Sequence, residues 1–244
     1  MKEKWKALAR DYLQQEKDRN INLLSALEGG LAEVKAVNER GCLLCTGGTV
    51  YQLAASDTQA ALELFRLVPP DTTMLEVQDT AQIGPLAQCF QPACIETYYN
   101  AWYEKASITV PEIGAQVYPA RLEDAPDLAR YYHMPGSSSG DAAAVERYLY
   151  DRIRSGTVFC VSLDGALAGF VGTHEEGSIG LLTVLPAYRR RGLGTYLEQV
   201  AIRRALERGH IPFGQIAEGN TASLALQRSL GMTVAEELVC WMER

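Results

Sequence analysis

Apolar positions along this chain recur with two periods, and the switches between them outline two successive α+β halves. Trp5, Leu8, Ala9, Tyr12 and Leu13 return at helical spacing and predict a first helix from Lys4 to about Glu16. INLLSALE, ending at Gly29-Gly30, predicts a second helix, and LAEVKAVNERGCLLCTGGTVYQLAAS alternates and turns like two or three strands. Asp57 stands at a cap position ahead of TQAALELFRLV, a helix that Pro69-Pro70 stops. TTMLEVQD reads as a strand, and TAQIGPLAQCF as a helix interrupted near Gly84-Pro85. IETYYNAWYEKA is a further strand that carries Tyr98, Tyr99, Trp102 and Tyr103 on its two faces.

A Pro- and Gly-containing stretch from Val110 to Gly114 marks a boundary, giving an N-terminal α+β domain over 1–112 and a second domain over 113–244. The second half restarts with the strand AQVYPARL and the helix EDAPDLARYYH. MPGSSSGD is a loop of small polar residues, and Asp141 caps AAAVERYLYDRIRSG, which Gly156 closes. TVFCVSL-DG-ALAGFVGTH is a hairpin turning on Asp164-Gly165. GSIGLLTVL is a buried strand, GLGTYLEQVAIRRALERG a helix, IPFGQIAE a strand, NTASLALQRSLG a helix and MTVAEELVCWMER the last strand. The fold class expected is α+β with a mixed sheet. No short repeat is present, although both halves share antiparallel strands with interposed helices, as a duplicated unit would.

Composition narrows the function. The chain has 244 residues, 47% of them hydrophobic, and a net charge of −7, so it has ample core and lacks the basic excess that nucleic-acid backbones demand. No window reaches a membrane span, and the charged start MKEKWKALARDYLQQEKDRN has no signal-peptide core, so a cytoplasmic protein with neither nucleic-acid nor membrane partners is expected. Cys42 and Cys45 have C-x-x-C spacing, but on a strand residues three apart face opposite ways, and no second pair completes a metal set. No metal is expected.

The chemistry gathers at LPAYRRRGLGTYL, Leu185 to Leu197. Three arginines precede a helix start, where the macrodipole disfavours cations. Either they point into water, or an anion lies between them and the helix. Gly192 and Gly194 let backbone N–H groups converge without side chains in the way, and the helix start adds unpaired donors. A Walker loop is excluded because no Gly-Lys-Ser/Thr follows, and position 197 is Leu where a dinucleotide fingerprint has its third glycine.

The region from Val117 onward resembles the GCN5-related N-acetyltransferase (GNAT) superfamily. The resemblance rests on YPARLEDAPDLARYY, the DG hairpin, V-x-P in TVLP, R-x-x-G-x-G over Arg189–Gly194, and Asn220-x-x-Ser223-x-x-Leu226-x-x-x-Leu230-Gly231. LPAYRRRGLGTYL and PFGQIAEGNTASLALQRSLGM are most similar to the glycine N-acyltransferase (FR47-like) branch. In that branch the N-terminal half resembles a degenerate GNAT unit.

The resemblance implies acyl-coenzyme A, with acetyl as the expected group, and an amine acceptor. It places the pyrophosphate on Arg189, Arg190, Arg191, Gly192, Leu193, Gly194 and Thr195. It sets the pantetheine arm along Leu182, Thr183 and Val184, with the Val184 N–H polarising the thioester carbonyl as an oxyanion hole does. Asn220 and Ser223 fall where the family contacts the cofactor. Family enzymes often carry a Glu on the strand before V-x-P; here that position is Ser178, the nearest acids are Glu175 and Glu176, with His174 just ahead of them, and Glu176 and Glu218 are candidates to accept the amine's proton. A solvated hairpin turn is the competing account of Glu176. Gln227 occupies the position of a family Tyr that protonates the thiolate, and Gln donates no such proton. Tyr188 and Tyr196 are read as packing residues, His210 as a helix-end cap and His133 as a loop residue near the acceptor segment. The expected protein is an N-acyltransferase for a small amine or amino acid, a monomer or homodimer. Its alternatives are a non-catalytic acyl-CoA sensor and a protein lysine or N-terminal acetyltransferase.

Overall fold

The computed structural model describes residues 2–132 and 142–244, so His133, the 134–141 loop and the Asp141 cap lie outside the described residues. The chain forms two compact units, Met1–Tyr103 with Glu175–Gly177 and Phe213–Arg244, and Glu104–His174 with Ser178–Pro212. The expected boundary near residue 112 divides the sequence, but strand pairing does not follow it. The last strands of the chain complete the sheet begun by the first.

The first unit is built from α1 (Lys2–Leu13), α2 (Ile21–Glu28), β1 (Ala32–Asn38), β2 (Gly41–Thr46), β3 (Val50–Ala55), α3 (Thr58–Phe65), β4 (Met74–Val77), α4 (Ile83–Phe90) and β5 (Cys94–Trp102). The second consists of β6 (Gln116–Pro119), α5 (Ala125–Ala129), α6 (Ala142–Arg154), β7 (Val158–Leu163), β8 (Ala166–Thr173), β9 (Ile179–Val184) and α7 (Leu193–Glu207). The chain then returns to the first unit with β10 (Phe213–Ala217), α8 (Thr221–Ser229) and β11 (Thr233–Glu243). The helix expected over Lys4–Glu16 ends at Leu13 and tightens into a 3₁₀ turn, Gln14–Glu16. The helix expected from Glu123 begins as a 3₁₀ turn, and its α-helical part is the short α5.

The first unit's sheet has the order β1-β2-β3-β4-β11-β5-β10, antiparallel except for the parallel β3–β4 pair. Pleat alternation divides its side chains between two faces. Leu43, Cys45, Leu53, Leu75, Val77, Cys240 and Met242 pack with Ala61 and Leu64 of α3 and Leu86 and Phe90 of α4. Cys42, Leu44 and Ala54 pack on the other face with Ala9 and Leu13 of α1 and Leu23, Leu24 and Leu27 of α2. Asp57 caps α3 as its residue type foretold, its carboxylate accepting from the Ala60 N–H at 2.9 Å.

The second unit is an antiparallel sheet of order β6-β7-β8-β9. On one face Val158, Cys160, Phe170 and Leu181 meet Leu128 of α5 and Val145, Leu149 and Ile153 of α6. Helix α7 lies against the other face, where a Cβ at Gly169 would stand 3.0 Å from Leu197 Cδ1. That glycine lets the helix approach the sheet. β9, expected as a buried strand, is half-exposed toward its end and pairs with β8 alone among the described strands.

Candidate functional site

β9 and the start of α7 form one continuous motif. Leu185 donates its N–H to the Ala168 carbonyl at 2.9 Å, so alternation along β9 turns the Val184 amide toward the strand's unpaired edge. The Val184 carbonyl accepts from Arg189 Nε at 3.1 Å, which ties the loop back to the strand. Upstream, the β8–β9 register shifts between Phe170 and Gly172, and two residues, Leu181 and Leu182, stand opposite Val171. Leu181 adopts φ 55°, a left-handed backbone that is costly for a branched side chain, yet that side chain is 2% exposed in the core. This bulge had no signal in the apolar run GLLTV.

After Pro186 the chain makes a 3₁₀ turn to Tyr188, then Arg190 takes φ 62° and Gly192 φ 76° before α7 begins. Gly192 is the N-cap and offers no side-chain acceptor, so the first N–H groups of α7 keep their donors. A Cβ at Gly192 would meet nothing within 4 Å, and one at Gly194 only Val184 Cγ2 at 3.9 Å. The protein's own packing therefore does not require glycine at 194, where alanine would favour the helix. The space there is open to an outside group. Arg189, Arg190 and Arg191 are exposed, and none forms an ion pair among the described residues; Arg191 rests over the Tyr188 ring at 5.7 Å. Backbone donors and three unneutralised guanidinium groups fit a bound diphosphate or comparable anion.

Leu182, Thr183, Val184 and Arg189–Thr195 are thus brought together in the second unit, where Ser178 also lies. Asn220, Ser223 and Glu176 belong to the first unit. Asn220 caps α8, its side-chain oxygen accepting from the Ser223 N–H at 3.0 Å. Gln227, on the same helix, is 5% exposed. Glu218 accepts from Thr97 Oγ1 at 2.6 Å. Glu176 is not a solvated turn residue: it is 7% exposed, and Ser178 is 3% exposed.

Near Glu176 in the first unit lies a buried carboxyl that its sequence position concealed. Glu76, fully buried on β4, accepts from Asn22 Nδ2 at 2.6 Å, Gln215 Nε2 at 2.5 Å and Gln52 Nε2 at 2.7 Å. All three donors are neutral amides. Burial pushes Glu76 up to about 7 and outweighs the Gln52 and Gln215 bonds, and the charge of Glu176 adds to the rise. The second feature the sequence did not disclose is a pairing in the second unit. Tyr148 Oη and His174 Nδ1 are hydrogen-bonded, with the two rings stacked at 5.9 Å and 28°.

The C-x-x-C thiols are separated as the strand period requires, with Cys42 on the α1/α2 face and Cys45 on the α3/α4 face. Burial raises the Cys42 thiol to about 12, far from a reactive thiolate. No group of three or more His, Cys, Asp and Glu suited to a metal occurs among the described residues. No helix among them is long and apolar enough to cross a membrane.

Residues 125–232 match the acetyltransferase (GNAT) family. No curated protein matches the chain. Among solved structures, a Drosophila protein is 18% identical, with 100% of this chain and 96% of that chain covered at a TM-score of 0.71. A GCN5-related N-acetyltransferase from Kribbella flavida is 17% identical, with 93% and 95% covered at 0.56. A GCN5-related N-acetyltransferase-like protein from Streptococcus suis is 14% identical, with 97% and 100% covered at 0.53. At these identities the structures establish a shared fold along nearly the whole chain.

Proposed function

We propose that this chain, whose residues 125–232 match the acetyltransferase (GNAT) family, is an acyltransferase of that family and transfers acetyl from acetyl-CoA to the primary amine of a small molecule or amino acid. Acyl-CoA-dependent N-acylation is the reaction of the family. The observation that supports coenzyme A as the donor is the uncluttered start of α7, with open space at Gly192 and Gly194 beside three arginines that form no ion pair among the described residues.

In this reading the backbone from Arg189 to Thr195 holds the pyrophosphate, and the pantetheine arm runs along the free edge of β9 at Leu182, Thr183 and Val184. The thioester carbonyl is polarised by free-edge amides, with Val184 as the expected donor and the Leu181–Leu182 bulge supplying the next ones along. The amine nitrogen attacks the thioester carbon, the new N–C bond forms, and the C–S bond breaks with its electron pair on sulfur. A thiol ionises near pKa 8.5, so coenzyme A leaves as a thiolate without the acid that Gln227 does not provide. By the resemblance, Ser178 occupies the family's base position with Glu176 as the carboxylate next to it in sequence, and Asn220 and Ser223 occupy the family's further cofactor-contact positions. We assign the chain to the FR47-like branch, with 1–112 as a degenerate GNAT-like unit and 113–244 as the acyltransferase. We place it in the cytoplasm as a monomer or homodimer.

Thermal-shift measurements with acetyl-CoA test the donor, since a ligand of the native state raises its apparent stability. Thiol release over a panel of amines then tests transfer. Binding without turnover on any amine would favour an acyl-CoA sensor, the reading to which the buried Gln227 lends support.

A further inference from the structure

The family's base position is held by Ser178, whose hydroxyl does not act as a base near neutral pH. A different group stands one strand away. His174 follows the end of β8 and closes the hairpin by donating its backbone N–H to the Ser178 carbonyl at 2.9 Å. Its imidazole is fixed by the Tyr148 hydroxyl at Nδ1 and by stacking on the Tyr148 ring. Nε2 projects over β9 at Gly180, where a Cβ would stand only 2.2 Å from Nε2 and 2.6 Å from Cδ2. Gly180 has no positive φ and lies inside a strand, so no turn explains the glycine. The imidazole does. This placement puts a titratable nitrogen against β9 immediately before the Leu181–Leu182 bulge.

We infer that His174, positioned by Tyr148, accepts the proton of the attacking amine, an assignment that rests on the acyltransferase reading above. The role requires the tautomer in which Nδ1–H donates to Tyr148 Oη and Nε2 keeps its lone pair. As the N–C bond forms and the C–S bond breaks, the amine's proton passes to Nε2 and the electron pair leaves on sulfur. Imidazolium and thiolate are the products. Gly180 lies four residues before Val184, roughly 13 Å along a strand, but only one to two residues, about 3–7 Å, before the bulge. His174 therefore serves a thioester lying at the bulge, which makes the amides of Leu181 and Leu182, ahead of Val184, the ones that polarise it. Within the second unit's described residues, His174 is faced by Tyr148 of α6, with the Arg152 guanidinium 5.9 Å from the Tyr148 ring centre, and Glu175 and Glu176 follow it in sequence.

The test uses the whole chain, acetyl-CoA and a panel of primary amines. Calorimetry with acetyl-CoA comes first: absence of binding, or binding with no thiol release on any amine, overturns the acyltransferase reading and this assignment with it. With a turned-over amine, His174→Gln is expected to lose about a hundredfold or more in kcat while its melting temperature and acetyl-CoA affinity stay at the wild-type values. The ionisation on the acid side of the kcat/KM profile disappears, and added imidazole restores activity to His174→Ala. Tyr148→Phe keeps that ionisation at a displaced pH and loses roughly tenfold. Gly180→Ala, which drives the ring from its place, behaves like His174→Gln. A His174→Gln enzyme with an unchanged profile and kcat within about threefold of wild type overturns the assignment and leaves the acyltransferase reading standing.

Discussion

Glu76 makes the stability of this protein depend on pH in a direction opposite to that of most carboxylates. Its carboxyl is raised from the ordinary 4.5 to about 7, with burial as the largest cause. A carboxyl whose folded-state pKa is raised contributes stability that is complete below 4.5 and is lost as pH rises through about 7. Across that window the unfolded chain releases the proton and the folded chain keeps it. The difference corresponds to ~3 kcal/mol at most, undiminished by solvent because the side chain is 0% exposed. Neutral Glu76 must also donate its proton. Rotation of the Gln52 amide offers its oxygen for this, and Thr46 Oγ1, now donating to that oxygen at 3.0 Å, accepts from the amide nitrogen instead. The same rearrangement accommodates glutamine at 76, so Glu76→Gln is the informative variant. Thermal unfolding of both proteins from pH 5 to pH 8 isolates this group, because other titrations cancel in the difference. The wild type should weaken against the variant by about 2.5 kcal/mol across the range, or roughly 5–10 °C in a chain of this size. A difference that stays flat, or that moves in the wild type's favour as pH rises, would show that the three amide donors hold Glu76 ionised and would refute the reasoning.

Four other outcomes are expected. Gly192→Val forces a β-branched residue into φ 76° and should cost about 1–2 kcal/mol of stability together with most acetyl-CoA affinity. Gly194→Ala separates the two effects: melting temperature holds or rises while affinity falls, and calorimetry showing an unchanged Kd would refute the anion cradle. Replacing Arg190 and Arg191 together with Ala should leave stability unchanged but weaken acetyl-CoA binding and flatten its dependence on salt, measured between low and moderate ionic strength. Asn220→Ala removes the bond to the Ser223 N–H and should lower stability by ~1 kcal/mol, read as a fall in melting temperature.

Much of the fold was legible because its signals are local. Asp57 and Asn220 cap their helices through residues three positions on, a spacing that any four-residue window displays. The Asp164-Gly165 turn, with both residues at positive φ, was equally readable. Strand alternation alone separated Cys42 from Cys45. The open glycine turn ahead of α7 was legible for a similar reason, since strand, proline, arginines, glycines and helix follow one another without interruption. The order of strands was not. β10 and β11 leave the half of the sequence that contains them and pair with β5, and no residue near either strand encodes that choice.

The sequence by itself determined the helices, the turns and the glycine turn that opens α7, because each depends on contacts within a few residues. Tertiary structure decided what the polar residues of the sheet mean. In TTMLEVQD, Glu76 has the alternation of a solvent-facing position, and only Asn22, 54 residues earlier, and Gln215, 139 residues later, make it an interior group. His174 likewise reads as the end of a hairpin until Tyr148 and the bare backbone of Gly180 position its ring. A carboxyl or an imidazole takes its protonation behaviour from what surrounds it in space, and those surroundings exist only after distant segments have packed.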